Sequence, residues 1–300
     1  MNIIEVFNLF SSKDLSLVLR CLFDRHLVII GGPDREFIDE LMIKLVDSIS
    51  IRKEFVYGTD FLKKEEYENI INQERLDYSN PRVIIRAPVN HEDMVLENIE
   101  NLNGWLIGLL KGNDIDAFFE KASRLRKRCP VSLFVILGAS REIEAINLYG
   151  KERSKYEIDL ESSILKKTML QTESSLERMK RVLDKKIQAS KSINGSILES
   201  LADLSQEEAL IKENVFKKEI LEFYQASRRG LAVLSRLNFF NQFQPVKIAH
   251  KTFFDAISYD SINTQRFLEF VQAEWNENFS ELIDDSMLSK FGDHLDSLWG

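Results

Sequence analysis

Short apolar runs alternate with amphipathic segments along the first half of the chain. Apolar residues recur every three or four positions between 14 and 24, which predicts a helix capped by Ser12 or Asp14. The same spacing predicts further helices over 37–49 and 115–128. Continuous apolar runs bounded by Gly, Pro or charged residues predict strands. The predicted strands are 26–30, 54–57, 82–86, 105–110 and 131–137, with a shorter sixth at 143–148.

These strands are apolar on both faces, which predicts a sheet covered on both sides and mainly parallel. After residue 150 the pattern changes to helical spacing throughout. Helices are predicted over 159–189, from a capping box at Ser205 onward, and over 228–240, 245–257, 261–276 and 284–298. The fold class is therefore an α/β domain at 1–155, with five to six strands and helices on both faces, followed by an all-α domain at 156–300.

Composition narrows the classes of partner. The net charge of -8 argues against a broad nucleic-acid footprint, because phosphate binding needs a basic surface, and it would repel an anionic membrane. No stretch approaches the roughly 20 apolar residues of a membrane span, and the start lacks the features of a signal peptide. Cys21 and Cys129 are too few for a disulfide framework or a zinc site. A cytoplasmic chain without an integral membrane segment is expected.

The segment VIIGGPDRE at 28–36 is the strongest candidate for a ligand site, since a strand, a Gly-rich turn and a helix form phosphate-binding loops. That chemistry needs a Lys for the phosphates and a Ser or Thr for magnesium, and neither follows here. Pro33 removes a backbone donor, while Asp34 and Glu36 place negative charge where the phosphate would lie. Asp34 is better interpreted as a residue that caps the helix.

No pattern supports covalent catalysis or a bound metal. The sequence lacks GxGxxG, GxSxG, HxxxH and CxxC spacings, and its many carboxylates single out no acid–base pair. No catalytic residue, cofactor-binding residue or metal ligand is therefore predicted. The sequence therefore leaves both an enzyme and a non-enzymatic protein as alternatives.

The helical half carries a second signal, in aromatic residues at helical spacing over 216–224, at Phe253 and Phe254, and in the segment TQRFLEF at 264–270. Together with the helix–strand–helix–strand order over 15–57, these stretches resemble the DENN family of Rab-type GTPase regulators, in particular its folliculin-like branch. The resemblance covers about residues 14–275. Family members normally carry an N-terminal longin-like domain, whereas this sequence begins almost at the central part, and the helical insertion at 159–200 is larger than the family pattern leads one to expect.

The resemblance implies a regulator of guanine-nucleotide exchange that binds a small Rab-type GTPase in membrane traffic or signalling. Such a regulator needs no covalent catalyst and no cofactor, because it acts by binding the nucleotide-free state more tightly. If the chain is an enzyme, it would at most be a guanine-nucleotide exchange factor. The residues predicted to bind the partner are Gly31, Gly32, Asp34 and Arg35, at one end of the predicted sheet. Two alternatives stay open: a scaffold or heterodimer subunit that docks on a longin or roadblock-type protein, and a degenerate P-loop-like ATPase with a helical lid.

Overall fold

The computed structural model describes residues 2–24, 26–49, 51, 55–56, 65, 83–87, 106–110, 131–150, 158–189, 204–260 and 262–284. The protein is a mixed α/β chain whose second half is mostly helical. The predicted helices at 115–128 and 284–298, apart from residue 284, lie outside these residues. So does the predicted domain boundary at 155/156, which stays a prediction.

The described strands form one six-stranded sheet and one small two-stranded sheet. The large sheet contains β1 (Leu27–Gly32), β2 (Phe55–Val56), β3 (Val83–Ala87), β4 (Leu106–Leu110), β5 (Val131–Leu137) and β6 (Ile143–Gly150). Its order is β2-β3-β4-β1-β5-β6. The first five strands in this order are parallel, as the apolar runs predict, whereas β6 pairs with β5 in antiparallel orientation. A hairpin is expected here because the connection is only five residues long.

Both faces of the central strands are buried. Val28, Ile30 and Val135 lie on the face where helices α2 (Ser12–Asp24) and α3 (Arg35–Ser48) pack, and belong to the main core. On the opposite face Ile29 and Phe134 are buried as well. This two-sided burial explains why the strands read as continuous apolar runs instead of alternating with polar residues.

Local capping sets the start of the first helices. Helix α1 (Ile3–Asn8), which the apolar pattern does not predict, begins at a capping box between Asn2 and Glu5. The residue that caps α2 is Ser11 and neither Ser12 nor Asp14, because the Ser11 hydroxyl accepts the backbone N–H of Asp14 at 3.2 Å. The predicted cap was therefore one to three residues too late.

The helical half contains α4 (Asp159–Ala189), α5 (Leu204–Asn241), α6 (His250–Ile257) and α7 (Thr264–Trp275), with the small sheet of β7 (Ile248–Ala249) and β8 (Ile283–Asp284). Helix α4 has the predicted bounds. The prediction of a separate helix at 228–240 is wrong, since α5 runs from Leu204 to Asn241 without a break before Arg228. A Cβ at Gly230 would lie 2.6 Å from Phe267 Cζ, so this glycine allows α5 to lie close to α7.

The start of the predicted helix at 245–257 is also wrong, since residues 248–249 form β7 and the helix begins only at His250. Residue Asp284 belongs to β8, which pairs with β7 in parallel register. Short strands of two residues carry too little periodic signal to be distinguished from the ends of neighbouring helices.

An aromatic core joins the two halves. Phe23, at the end of α2, contacts Phe223 of α5 and Phe270 of α7, with ring centroids 5.9 and 6.2 Å apart. Phe223 and Phe270 are themselves 4.8 Å apart. Phe267 packs against Phe253 of α6 at 5.3 Å. The aromatic spacing of the helical half therefore serves the core, and the first and last described helices of the chain are packed into one hydrophobic cluster.

Candidate partner-binding site at the carboxyl end of the sheet

The strand order locates the place where an open parallel sheet is expected to receive a ligand. The connection after β1 leads through α3 towards β2, and the connection after β5 leads to β6 at the opposite edge. The two connections diverge from neighbouring strands, and ligands of such sheets bind outside the carboxyl ends of the strands at this divergence. The candidate site is therefore formed by the loop after Gly32 and the turn after Leu137.

Close contact between β1 and β5 brings these two connections together. A Cβ at Gly32 would lie only 2.8 Å from Leu137 Cβ, closer than two such atoms approach in proteins. Glycine at this position is thus required for the strands to pack as they do. In the turn beyond, Gly138 donates its N–H to the Glu142 carbonyl at 2.9 Å, and Arg141 adopts the left-handed conformation with φ 64°.

Asp34 caps α3, as the sequence predicts. Its Oδ1 accepts the backbone N–H of Phe37 at 3.1 Å. Its Oδ2 accepts the Nε–H of Arg141 at 2.9 Å, and the Arg141 guanidinium also lies 5.6 Å from the centroid of the Phe37 ring. The amide of Phe37 is the main cause that lowers the pKa of the Asp34 carboxyl below its ordinary value; burial opposes this effect and Arg141 reinforces it. The carboxyl is thus held ionised.

This arrangement occupies the position that a phosphate would need. In this sheet β1 lies between β4 and β5, and the P-loop alternative requires the phosphate at the start of α3, directly after β1. Here the Asp34 carboxylate already engages a helix-start amide and the nearby cation Arg141. A nucleotide would have to displace a negative charge from both donors. The negative charge at the start of α3 therefore opposes the binding of a phosphate there.

The four residues predicted from the sequence lie in two different environments. Gly31 and Gly32 are buried within β1 instead of forming an exposed loop, while Asp34 and Arg35 are partly exposed at the start of α3. Glu36, in the same turn, is exposed. The structure adds Arg141, which is 107 residues away from Asp34 in sequence. No local pattern could have indicated Arg141, because only the pairing of β1 with β5 brings it to this end of the sheet.

A second group of charges joins four buried side chains, Arg20, Asp24, Glu161 and Arg266, with Glu269 at its margin, which is 36% exposed. We call this group the buried ionic cluster. Arg266 donates to Glu161 Oε1 through Nε at 2.9 Å and through Nη2 at 2.5 Å, and to Asp24 Oδ1 at 3.1 Å. Arg20 pairs with Asp24 at 2.7 Å and also with Glu269. The cluster thus joins α2, α4 and α7.

The buried ionic cluster has a structural role. Burial opposes the charge of Arg266, but Asp24 and Glu161 outweigh this effect and raise the pKa of the guanidinium above its ordinary value. Arg266, Asp24 and Glu161 are all buried, so a small ligand does not reach them without local opening. Arg266 is the variable position of the TQRFLEF element, so the sequence pattern did not single it out.

No protein-family model matches the chain, and neither the curated proteins nor the solved structures contain a significant match. Among the helices in the described ranges, none is both long enough and apolar enough to cross a membrane. Within the same ranges, no three His, Cys, Asp or Glu side chains are grouped as the ligands of a metal ion would be.

Proposed function

We propose that this chain is a DENN-like regulator that binds a small Rab-type GTPase in the cytoplasm and modulates its nucleotide state, in the manner of an exchange factor. The observation that carries the proposal is the carboxyl end of the sheet, where Asp34 and Arg141 occupy the position of a phosphate. Because the Asp34 carboxylate and Arg141 already pair at this position, we do not expect the chain to bind a nucleotide itself. It presents these charges to a partner.

The packing of the two sequence stretches that carry the DENN resemblance also supports the proposal. The first stretch contains Phe23 and Asp24, and the last contains Arg266 and Phe270. These residues contact each other across the chain, through the Arg266–Asp24 ion pair and the Phe23–Phe270 ring contact. A resemblance that spans residues 14–275 is expected to describe one packed module, and mutual contact between its two ends agrees with that expectation.

Nucleotide release tests the proposal. A panel of Rab-type GTPases is loaded with fluorescent GDP, and the release rate is measured with and without this chain. At least one GTPase should release GDP faster, because a partner that prefers the nucleotide-free state shifts the equilibrium towards it. An unchanged rate across the whole panel would contradict the proposal.

A matched pair of charge reversals links the activity to the candidate site. Arg141 is 54% exposed and pairs with Asp34, while Arg181 on α4 is 74% exposed and pairs with Glu177. The R141E variant should slow GDP release roughly tenfold, since like charges at an interface weaken association strongly. The R181E variant should leave the rate unchanged. Equal rates for both variants would remove the carboxyl end of the sheet from the interface.

The edge strand β6 favours a second candidate function, the scaffold or heterodimer subunit that docks on a longin or roadblock-type protein. β6 is eight residues long and lies at the edge of the described sheet order. An edge strand presents backbone N–H and C=O groups to which a partner can add a strand. Light scattering of mixtures with such proteins distinguishes the two functions: a stable complex without any GDP release from a GTPase would favour the scaffold.

A further inference from the structure

The carboxyl end of α5 carries a group of exposed aromatic side chains. Phe239 and Phe240 are each 57% exposed and Phe243 is 76% exposed. Their rings contact each other, with the Phe239 centroid 5.9 Å from that of Phe240 and 5.3 Å from that of Phe243. Exposed rings in mutual contact form a contiguous apolar patch, which marks an interaction surface in a way that scattered single side chains do not. We call these three residues the aromatic tip.

The aromatic tip projects beyond the core and is held in a defined shape. Leu234 is the last fully buried residue of α5, and residues 235–245 are exposed apart from the partly buried Leu237 and Asn241. The turn after the helix is fixed by Phe243 N–H donating to the Phe240 carbonyl at 2.9 Å and by Val246 N–H donating to Asn241 Oδ1 at 2.9 Å. The rings are thus presented on an ordered, protruding end.

Basic residues flank the aromatic tip in the sequence. In the sequence no Asp or Glu occurs between Glu222 and Asp255, while this interval contains five Lys and Arg residues in a chain whose net charge is -8. Arg236 precedes the rings by one helical turn, Lys247 follows the turn that Asn241 fixes, and Lys251 is the second residue of α6; all three are exposed. Cations beside exposed aromatic rings are complementary to a surface that is both negatively charged and apolar.

We infer that the aromatic tip docks on an anionic lipid bilayer, with Phe239, Phe240 and Phe243 inserted at the level of the headgroups and Arg236 and Lys247 beside the lipid phosphates. A specific protein interface needs about 800 Å² on each side, which three rings on a protruding helix end do not supply. A bilayer requires no complementary shape and accepts a convex apolar tip flanked by basic residues.

The net negative charge of the chain does not prevent this contact. The field of an anionic membrane decays within a Debye length, about 10 Å at moderate salt. The charge that the membrane meets is therefore the local charge of the tip and not that of the whole chain. The expectation that an anionic membrane repels the chain holds for its average surface but not for this end of α5.

Vesicle flotation tests the inference with the full chain and without any GTPase, so that its outcome is independent of the proposed function. The chain is mixed at low salt with vesicles of phosphatidylcholine alone or with added phosphatidylserine. We expect flotation with the phosphatidylserine vesicles, weakened by salt. Substitution of all three rings (F239S, F240S, F243S) should lower the bound fraction roughly tenfold or more. The pair R236Q and K247Q should lower it several-fold.

A control variant, M169S with L170S, removes two exposed apolar side chains from α4 and should bind as the wild type does. Because these side chains and those of the tip are exposed, the melting temperatures of the variants should stay close to that of the wild type. Failure of the wild type to float with either kind of vesicle would overturn the inference. The inference would also be overturned if the variant without the three rings floated as well as the wild type. Light scattering gives a third contrary outcome: a wild-type dimer that the ring substitutions convert to a monomer would assign the tip to contact with a second copy of the chain.

Discussion

Arg266 and Arg141 each join segments that are far apart in sequence, but one contact is buried and the other lies at the surface. Arg266 is 242 residues from Asp24, and both side chains are at most 2% exposed. Arg141 is 107 residues from Asp34 and is 54% exposed. The same chemical pair therefore occurs once in the core between the two halves and once at the carboxyl end of the sheet.

The difference in exposure indicates which ion pair stabilises the fold and which one is accessible to a partner. A buried ion pair has lost its water, so removal of one partner leaves an uncompensated charge in the core. An exposed pair is solvated and screened and contributes little to stability. The buried ionic cluster is thus part of the fold, while Asp34 and Arg141 can exchange contacts with a partner's charges at little cost.

The largest effect is expected for the R266A variant. It leaves Asp24 and Glu161 buried without their shared cation, and should lower the free energy of unfolding by about 3–5 kcal/mol. The measurement is chemical denaturation followed by circular dichroism. The exposed R236A variant is the control and should change stability by less than about 0.5 kcal/mol. A loss below about 1 kcal/mol in R266A would mean that the cluster does not join the helices as described.

A smaller loss is expected for the D34A variant, because it removes a helix cap and an exposed ion pair. The expected loss is about 1–2 kcal/mol by the same measurement. The matched N263A variant removes only the cap of α7, where Asn263 accepts the Arg266 N–H at 3.0 Å, and should cost about 1 kcal/mol. A loss in D34A as large as that in R266A would show that the surface pair is structurally essential.

Backbone strain at Arg141 predicts different stabilities for two substitutions at this position. The residue has φ 64°, which costs an L-amino acid about 1–2 kcal/mol but costs glycine almost nothing. Both R141A and R141G lose the ion pair, but only R141G relieves the strain. R141G should therefore be about 1 kcal/mol more stable than R141A in thermal or chemical unfolding. Equal stabilities would contradict the left-handed conformation of this turn.

The smallest effect concerns pH. The pKa of Asp34 is lowered from 3.8 in the fold, so the folded state binds fewer protons than the unfolded state as this carboxyl titrates. Its contribution to stability is complete above the unfolded pKa and is lost as pH falls through the folded pKa. The stability difference between wild type and D34N, below about 1 kcal/mol at neutral pH, should shrink below pH 3.8. If the stability difference between wild type and D34N grew on acidification, the contacts of Asp34 in the fold would have to favour its protonated form, contrary to this account.

The sequence predicts the elements of the large sheet well, because buried parallel strands are continuous apolar runs between turn residues. Each strand lies within two residues of its predicted bounds. The continuous α5 was harder to predict, because the spacing of apolar residues does not distinguish one helix over 204–241 from two helices that meet before residue 228. Gly230 within this helix is explained by its contact with Phe267. At this position the packing of α5 against α7 outweighs the low helix propensity of glycine.

The candidate site could be predicted only in part. Asp34 follows from the rule that a carboxylate before a helix caps it. Arg141 and the buried ionic cluster depend on contacts across more than one hundred residues, so no spacing rule finds them. The aromatic tip is a similar case: its three Phe residues share the spacing of core residues, and only their exposure distinguishes them.

The most direct test of the central claim asks whether the chain binds a nucleotide itself. Its melting temperature is measured with and without about 5 mM ATP or GTP in the presence of magnesium. This concentration is roughly 100-fold above a typical weak dissociation constant, and at that ratio binding would stabilise the fold by about 2.7 kcal/mol. With Asp34 and Arg141 occupying the phosphate position, the melting temperature should not change. A rise of several degrees, abolished by substitutions at the start of α3, would show that the carboxyl end of the sheet is a nucleotide site and not a surface for a partner protein.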